Sequence, residues 1–129
     1  MSQEKLLRFC RARGIQLTAY SPLGSPARLD AKAKQSAHLM EDPLVVRLAK
    51  KYQRPAAHIL IAYQLRRGIC VIPKAIQPAH IRTNFEALAL ADSLGPEDMG
   101  KLGQLNRNHR FMLFERCLTH KYYPFKDEY

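Results

Sequence analysis

The sequence predicts an α/β protein in which two parallel strands are connected by helices. Two short segments, residues 15–20 (IQLTAY) and 69–72 (ICVI), are typical of β-strands. Each follows directly on a glycine that ends a helical pattern, Gly14 or Gly68, as in the tight helix-to-strand connections of α/β proteins. The two runs lie too far apart for a hairpin, so we expect parallel pairing with a helical crossover.

The chain begins with a predicted helix, a strand and a long loop. Residues 2–13 form an amphipathic pattern, which Ser2 is expected to cap and Gly14 to end. The strand over 15–20 comes next. The loop over 21–42 starts with Pro, Gly and Ser residues, and its length and place after a strand favour a functional role.

Proline and N-cap residues signal the helices that follow the loop. We expect the helix after Pro78 to run to about Leu88, and the tail over 106–129 to be irregular. In the last helix Met99, Leu102 and Leu105 are expected to face inward. The predicted helix starts are Asp42-Pro43, Pro55, Gln77-Pro78 and Gly95-Pro96.

Length, composition and charge limit the class of protein. The 129 residues suit one globular domain or a piece of one, and the N-terminus has no apolar core of a signal peptide. The apolar runs are too short to span a membrane. The net charge of +10 raises nucleic acid as a partner. The basic residues are spread over amphipathic segments, however, and no nucleic-acid motif accompanies them, so we expect no nucleic-acid binding.

Three cysteines, Cys10, Cys70 and Cys117, are widely spaced and form no metal motif. They predict reduced thiols and a cytoplasmic protein without a metal site.

The stretch CVIPKAIQPAHIRTN, residues 70–84, has the pattern of an anion site. A strand ends at Pro73, Lys74 follows, and Gln77 and Pro78 open a helix. A lysine at a strand end that faces a helix N-terminus can hold a phosphate.

Several motifs together resemble the C-terminal part of the aldo-keto reductases, most closely the hydroxysteroid dehydrogenase subfamily. They stand in the family's order and cover nearly the whole chain. The motifs are TAYSPLGSP at 18–26, MEDP at 40–43, LAKKYQR and YQLRRG within 48–68, VIPK at 71–74, LNRN at 105–108 and HKYYPFKDEY at 120–129.

The resemblance implies the C-terminal fragment of a TIM (β/α)8 barrel, with its last two strands, their helices and the C-terminal tail. Residues 1–129 would form a partial NADP-dependent oxidoreductase domain, and residues 106–129 its C-terminal loop. The anion expected beside Lys74, in the stretch over residues 70–84, would be the 2′-phosphate of NADP(H).

The resemblance also implies roles for single residues. Tyr20 would stack on the nicotinamide, although a core tyrosine is the alternative, and Lys74 would pair with the 2′-phosphate, although a solvated lysine is the alternative. The loop after Tyr20 would wrap the pyrophosphate, and Asn84 would contact the adenine. The full predicted cofactor set is Tyr20, Ser21, Leu23, Ser25, Lys74, Ala75, Ile76, His80, Thr83 and Asn84.

Four positions depart from the family pattern in ways that weaken the cofactor site. Ala75 stands where Ser or Thr is usual, and His80 stands where an arginine grips the 2′-phosphate. Histidine lacks the permanent charge and the bidentate geometry of arginine. Thr83 replaces a Gln or Glu, and Ala27 replaces an Asp that latches the loop. We therefore expect NADP(H) to bind weakly.

The family's catalytic tetrad of Asp, Tyr, Lys and His would lie in the part of the barrel that has no counterpart in this chain. The resemblance implies carbonyl reduction or alcohol oxidation on steroid-like or other lipophilic substrates, but we expect no activity from this chain alone and assign no catalytic residue. Three alternatives stay open. The chain could be a non-catalytic interaction fragment with a full-length relative as partner, or, although we do not expect it, a basic module that binds nucleic acid. It could also be the product of a degraded gene or of a coding sequence whose upstream part was not read.

Overall fold

The structure, a computed structural model, describes residues 2–24, 39–108, 110 and 114–126. This part of the chain is mostly helical and contains one small sheet. Three short 3-10 turns lie at Leu39–Glu41, Glu115–Cys117 and Pro124–Lys126. The helices are α1 (Glu4–Arg11), α2 (Pro43–Tyr52), α3 (Ala56–Arg66), α4 (Pro78–Glu86), α5 (Leu88–Ala91) and α6 (Pro96–Gln104), and the strands are β1 (Thr18–Ala19) and β2 (Cys70–Val71).

The two strands pair in parallel, with Thr18 opposite Cys70 and Ala19 opposite Val71. The α/β pattern and the parallel pairing are thus confirmed, but the predicted strands over 15–20 and 69–72 are too long. Before β1, the side-chain amide of Gln16 donates to the carbonyl of Gly68 at 2.9 Å, where a ladder bond would otherwise form. After β2, the ladder ends with the pair Ala19 and Val71.

Helix α3 lies at the centre of the fold. Five consecutive residues of α3, 58–62, are buried, and a helix that is covered on all sides must have neighbours around it. It packs against α2, α4, α5 and β2. The central apolar cluster consists of Val45, Leu48, Ile59, Leu60, Ala62, Leu90, Leu94 and Leu102, and the predicted inward residues Met99 and Leu105 pack against it.

Most helices begin and end at the capping residues, prolines and glycines that the sequence predicted. Gly14 and Gly68 both have φ +67°, the left-handed conformation that ends a helix without a Cβ clash. The side chain of Asp42 accepts a hydrogen bond from the Leu44 amide at 2.9 Å. Gln77 is the N-cap residue of α4 and Pro78 its first residue, as predicted.

Two predicted boundaries are wrong. Ser2 does not cap α1, because Gln3 is the N-cap residue and the Ser2 amide instead donates to the Asn106 side chain at 3.2 Å. The helix after Pro78 ends at Glu86, not at about Leu88, and α5 begins one residue after the buried Ala87.

Two polar side chains, Arg67 and the buried Asp98, connect the helices. The Arg67 guanidinium donates to the Glu4 carboxylate at 2.7 Å and to the Ser2 carbonyl, which fastens α1 to the end of α3. Asp98 of α6 accepts hydrogen bonds from Lys51 and from the Tyr52 hydroxyl of α2, both at 2.6 Å. No described helix has the length and apolar character needed to cross a membrane.

Candidate cofactor site

The parallel pairing puts the ends of both strands at one edge of the sheet. Tyr20 and Ser21 follow β1 directly, and Lys74 follows β2 after Ile72 and Pro73. Because the carboxyl ends of parallel strands lie on the same side, the two segments that carry the predicted cofactor residues emerge at the same edge.

The segment after β1 makes a tight turn. The Gly24 amide donates to the Ser21 carbonyl at 2.9 Å, and both residues have positive φ, +53° for Ser21 and +83° for Gly24. Leu23 is half-buried and packs against the central apolar cluster, which anchors the turn. The Tyr20 side chain is 58% exposed, so within the described residues it is not a core tyrosine. Ser25 and Ala27 lie outside the described residues.

The segment after β2 leads to the N-terminus of α4. Lys74 is exposed, Ala75 is half-buried, and Ile76 is 75% exposed. The Gln77 side chain makes no capping hydrogen bond. The backbone N–H groups of the first turn of α4 are therefore not satisfied by that side chain, and they favour a nearby anion.

Three further predicted residues lie on α4. His80 is exposed, whereas Thr83 and Asn84 are half-buried. The Thr83 hydroxyl donates to the His80 carbonyl at 3.2 Å. His80 and Asn84 are four residues apart, which places them on the same side of the helix.

Four of the predicted cofactor residues, Tyr20, Lys74, Ile76 and His80, are exposed. Two cavities, of about 100 and 400 Å³, lie mainly among residues of α1, α3 and α6, and the smaller one is also lined by Pro22, between Ser21 and Leu23. In the described residues no three His, Cys, Asp or Glu side chains are grouped as they would be around a metal ion.

His58 was not among the predicted site residues, and it lies in the core of the structure. The ring is 2% exposed, and neither nitrogen forms a hydrogen bond with a described residue. Burial lowers the pKa of His58 below its usual 6.5; Glu86 and the nearby Thr83 backbone oppose this shift, and Arg54 adds to it. The run of apolar residues after His58, ILIA, was the one signal in the sequence that this histidine is internal.

The cluster around Asp98 was also not predicted. The Asp98 carboxylate is almost completely buried, and its pKa is lowered by the hydrogen bond from Lys51 and then by the one from Tyr52. The Tyr52 oxygen also accepts a hydrogen bond from the Gly95 amide at 3.2 Å. Because the carboxylate has two partners and joins two helices, we assign it a structural role.

The sequence of this chain is similar to those of known proteins. The model of the Aldo/keto reductase family matches residues 1–107. The chain is 41% identical over 129 residues to the prostaglandin-E(2) 9-reductase of Oryctolagus cuniculus and 38% identical to aldo-keto reductase family 1 member C15 of Rattus norvegicus. It is also 36% identical, over 138 residues, to aldo-keto reductase family 1 member A1 of Xenopus tropicalis.

These alignments include the whole of this chain but only part of each relative. They cover 39% of the rabbit and rat proteins and 41% of the Xenopus protein. The family model matches well over half of this chain, and the alignments with the relatives extend over all of it. The chain therefore belongs to the aldo/keto reductase family, as its motifs predicted.

Proposed function

We propose that this chain is the NADP(H)-binding C-terminal portion of an aldo/keto reductase barrel and that it has no catalytic activity by itself. The observation that carries the proposal is the parallel pairing of β1 and β2. This pairing brings the loop after Tyr20 and the Lys74 segment to one edge, beside the N-terminus of α4. In the complete barrel these would be the seventh and eighth strands.

Each residue of the proposed site would contact a particular part of NADP(H). The Lys74 ammonium would pair with the 2′-phosphate, and the free N–H groups of α4 would add to the attraction. The exposed face of Tyr20 would support the nicotinamide ring. The turn at Ser21 and Leu23, with Ser25, would lie against the pyrophosphate, and Thr83 and Asn84 would lie near the adenosine. When bound, the nicotinamide supplies the hydride for carbonyl reduction.

The departures at Ala75 and His80 would make binding weak. Ala75 offers no hydroxyl to the phosphate, and a histidine at position 80 cannot hold it with two permanent charge-assisted hydrogen bonds. Each lost charge-assisted hydrogen bond costs about 1.5–3 kcal/mol, or roughly 10- to 100-fold in affinity.

A calorimetric titration with NADPH and NADH tests the role of Lys74. Because only NADPH carries the 2′-phosphate, Lys74→Met should weaken NADPH binding roughly 10- to 100-fold and leave NADH binding unchanged. Lys50→Met, at an exposed lysine in the last turn of α2, is the matched control and should change neither. His80→Arg should strengthen NADPH binding by a similar factor. An equal loss for both nucleotides, or none, would show that Lys74 does not hold the 2′-phosphate.

The chemistry proposed for the complete enzyme is reduction of a carbonyl, or oxidation of an alcohol, on steroid-like or other lipophilic substrates. One relative is named a prostaglandin-E(2) 9-reductase, which supports a lipophilic carbonyl substrate. This chain contributes no general acid to that step. Purified chain incubated with NADPH and a panel of ketosteroids and aldehydes should show no turnover; steady consumption of NADPH with any of them would refute the proposed inactivity.

We also propose a cytoplasmic location. Cys70 and Cys117 are exposed, and neither they nor Cys10 is in a disulfide, which suits a reducing compartment. Fractionation of cells that produce the tagged chain tests this location.

A further inference from the structure

The larger of the two cavities, of about 400 Å³, has a positively charged lining. Its wall consists of residues from α1, α3 and α6, together with the residue that follows α3. Three arginines, Arg11, Arg66 and Arg67, line the cavity, whereas Glu4 is the one acidic residue among its lining residues. A concave site with charge of one sign concentrates ligands of the opposite charge, so this cavity favours an anion.

The cavity lies at the amino ends of the strands, away from the proposed cofactor site. Arg66 and Arg67 come directly before Gly68, which is two residues ahead of β2. A nitrogen of the Arg11 guanidinium lies 3.2 Å from the position that a Cβ at Gly68 would take. The proposed cofactor residues, in contrast, follow the strands or lie on α4. An anion in this cavity would therefore not occupy the place proposed for NADP(H).

The charges of the three arginines are balanced to different extents. The Arg67 side chain is 9% exposed and donates to the Glu4 carboxylate at 2.7 Å. Arg66 has Asp92 at 3.3 Å, but the Asp92 side chain is 95% exposed, and such surface pairs are weak. Arg11 donates to the Arg67 carbonyl and, among the described residues, pairs with no carboxylate. Because a guanidinium has five N–H donors, Arg11 and Arg66 keep donors and charge for a ligand.

A tyrosine hydroxyl adds a neutral donor to the cavity wall. Tyr63 lines both cavities, and its oxygen lies 3.6 Å from the position that a Cβ at Gly103 would take. Within the described residues this hydroxyl forms no hydrogen bond. Burial raises the pKa of Tyr63, although Arg67 opposes the shift, so the hydroxyl is protonated at pH 7 and can donate. The Tyr63 ring, Leu7 and Met99 provide apolar area beside the arginines.

We propose that this cavity binds a small phosphate monoester with an apolar or aromatic body. The guanidinium groups of Arg11 and Arg66 and the Tyr63 hydroxyl would hold the phosphate, and Met99 would contact the apolar part. A phosphate monoester carries about −1.5 to −2 charges at pH 7, which matches two guanidinium groups, and the planar fork of arginine suits phosphate oxygens. The proposal does not depend on the cofactor site, because the two sites share no residue.

A titration of the full chain with phenyl phosphate, followed by ¹H–¹⁵N NMR in buffer without nucleotide, tests the proposal. The amide signals of α1 and α6 should shift and saturate, whereas those of residues 74–77 should not move. Inorganic phosphate should bind about tenfold more weakly, because it leaves the apolar wall uncovered. Benzyl alcohol, which has the ring but no charge, should cause no saturable shift.

Substitutions of the arginines identify the site. Arg11→Met and Arg66→Met should each weaken the binding of phenyl phosphate roughly 10- to 100-fold. Arg8→Met, at an exposed arginine of α1 that does not line the cavity, is the matched control and should leave binding unchanged. Lys74→Met should also leave it unchanged, which separates this site from the proposed cofactor site. If circular dichroism shows that Arg11→Met loses helix content, Arg66→Met decides the result, since it keeps the contact of Arg11 with the Arg67 carbonyl.

Four results would overturn the proposal. They are the absence of saturable shifts, shifts confined to residues 74–77, binding that Arg66→Met leaves unchanged, and equal affinity for phenyl phosphate and inorganic phosphate. The last result would show that the arginines attract any anion and that the cavity contributes nothing.

Discussion

Replacement of the buried His58 by leucine should stabilise the fold. The ring is 2% exposed and neither of its nitrogens has a hydrogen-bond partner among the described residues. A buried polar group without a partner costs about 1–3 kcal/mol. Leucine fills a similar volume without polar atoms, so at pH 7 we expect His58→Leu to raise the free energy of unfolding by about 1–3 kcal/mol.

The same substitution should change the pH dependence of stability. Burial lowers the pKa of His58 in the folded state below the usual 6.5, so the unfolded chain binds the proton more tightly than the folded one. The stability is therefore constant above about pH 6.5 and falls as the pH drops, until the folded-state pKa is reached. The limiting slope is about 1.4 kcal/mol per pH unit, and His58→Leu should remove this contribution.

Urea denaturation at a series of pH values between 5 and 8, followed by circular dichroism, measures both effects. His58→Gln is a useful second variant, because it removes the titration but keeps a polar side chain in the core. His58→Gln should therefore remove the pH dependence that His58 contributes, but it should not raise the free energy of unfolding at pH 7. Other titrating groups contribute equally to all three proteins, so the differences between them isolate His58. A His58→Leu variant less stable than the original at pH 7, or with the same pH slope, would refute the reasoning.

Two further substitutions test the contacts that hold the helices together. Asp98→Ala removes the acceptor of the Tyr52 hydroxyl and should lower the free energy of unfolding by about 1–3 kcal/mol in urea melts, whereas an unchanged midpoint would show that the contact contributes nothing. Because the Asp98 pKa is lowered in the folded state, its contribution should persist above about pH 4 and be lost as the pH falls through the folded-state value. Gly68→Ala should lower the free energy of unfolding by about 1 kcal/mol in the same assay. Gly68 has φ +67°, and an added Cβ would lie 3.2 Å from the Arg11 side chain. The control is Gly100→Ala, in the middle of α6 with open space around its Cβ, which should not destabilise the fold.

The helix ends were predictable because their signals are local. The Asp42 cap, the prolines at helix starts and the glycines with positive φ all act within one turn of the chain. Ser2 shows the limit of such signals. Its amide is bound by Asn106, more than a hundred residues away in sequence, and no N-terminal pattern contains that contact.

The strands were predicted too long because a strand depends on its neighbours. Residues 15–20 and 69–72 have sequences typical of strands, but a ladder needs a partner on at least one side along its whole length. Here the ladder has only two residue pairs, and before it the Gln16 side chain, not a backbone amide, donates to the Gly68 carbonyl. The predicted segments are longer than the observed strands, and the family resemblance explains this, since in a complete barrel each strand would have two neighbours.

The candidate site could be proposed from sequence, whereas its surroundings could not. The VIPK motif and the proline at the start of α4 predicted Lys74 to be a phosphate ligand, and the parallel pairing brings its segment to the same edge as Tyr20. The openness of that edge and the burial of His58 depend on packing between distant segments. For His58, helical periodicity alone does not distinguish a fully buried helix from an amphipathic one.

The most direct test of the central claim is a thermal melt of the purified chain by far-UV circular dichroism, with and without excess NADPH. If the chain folds and carries a working phosphate site at Lys74, the transition is cooperative and moves to higher temperature with NADPH; a concentration 100-fold above the dissociation constant adds about 2.7 kcal/mol of stability. The Lys74→Met variant should then show a smaller shift. A broad melt that NADPH does not change would contradict the claim that this chain binds the cofactor.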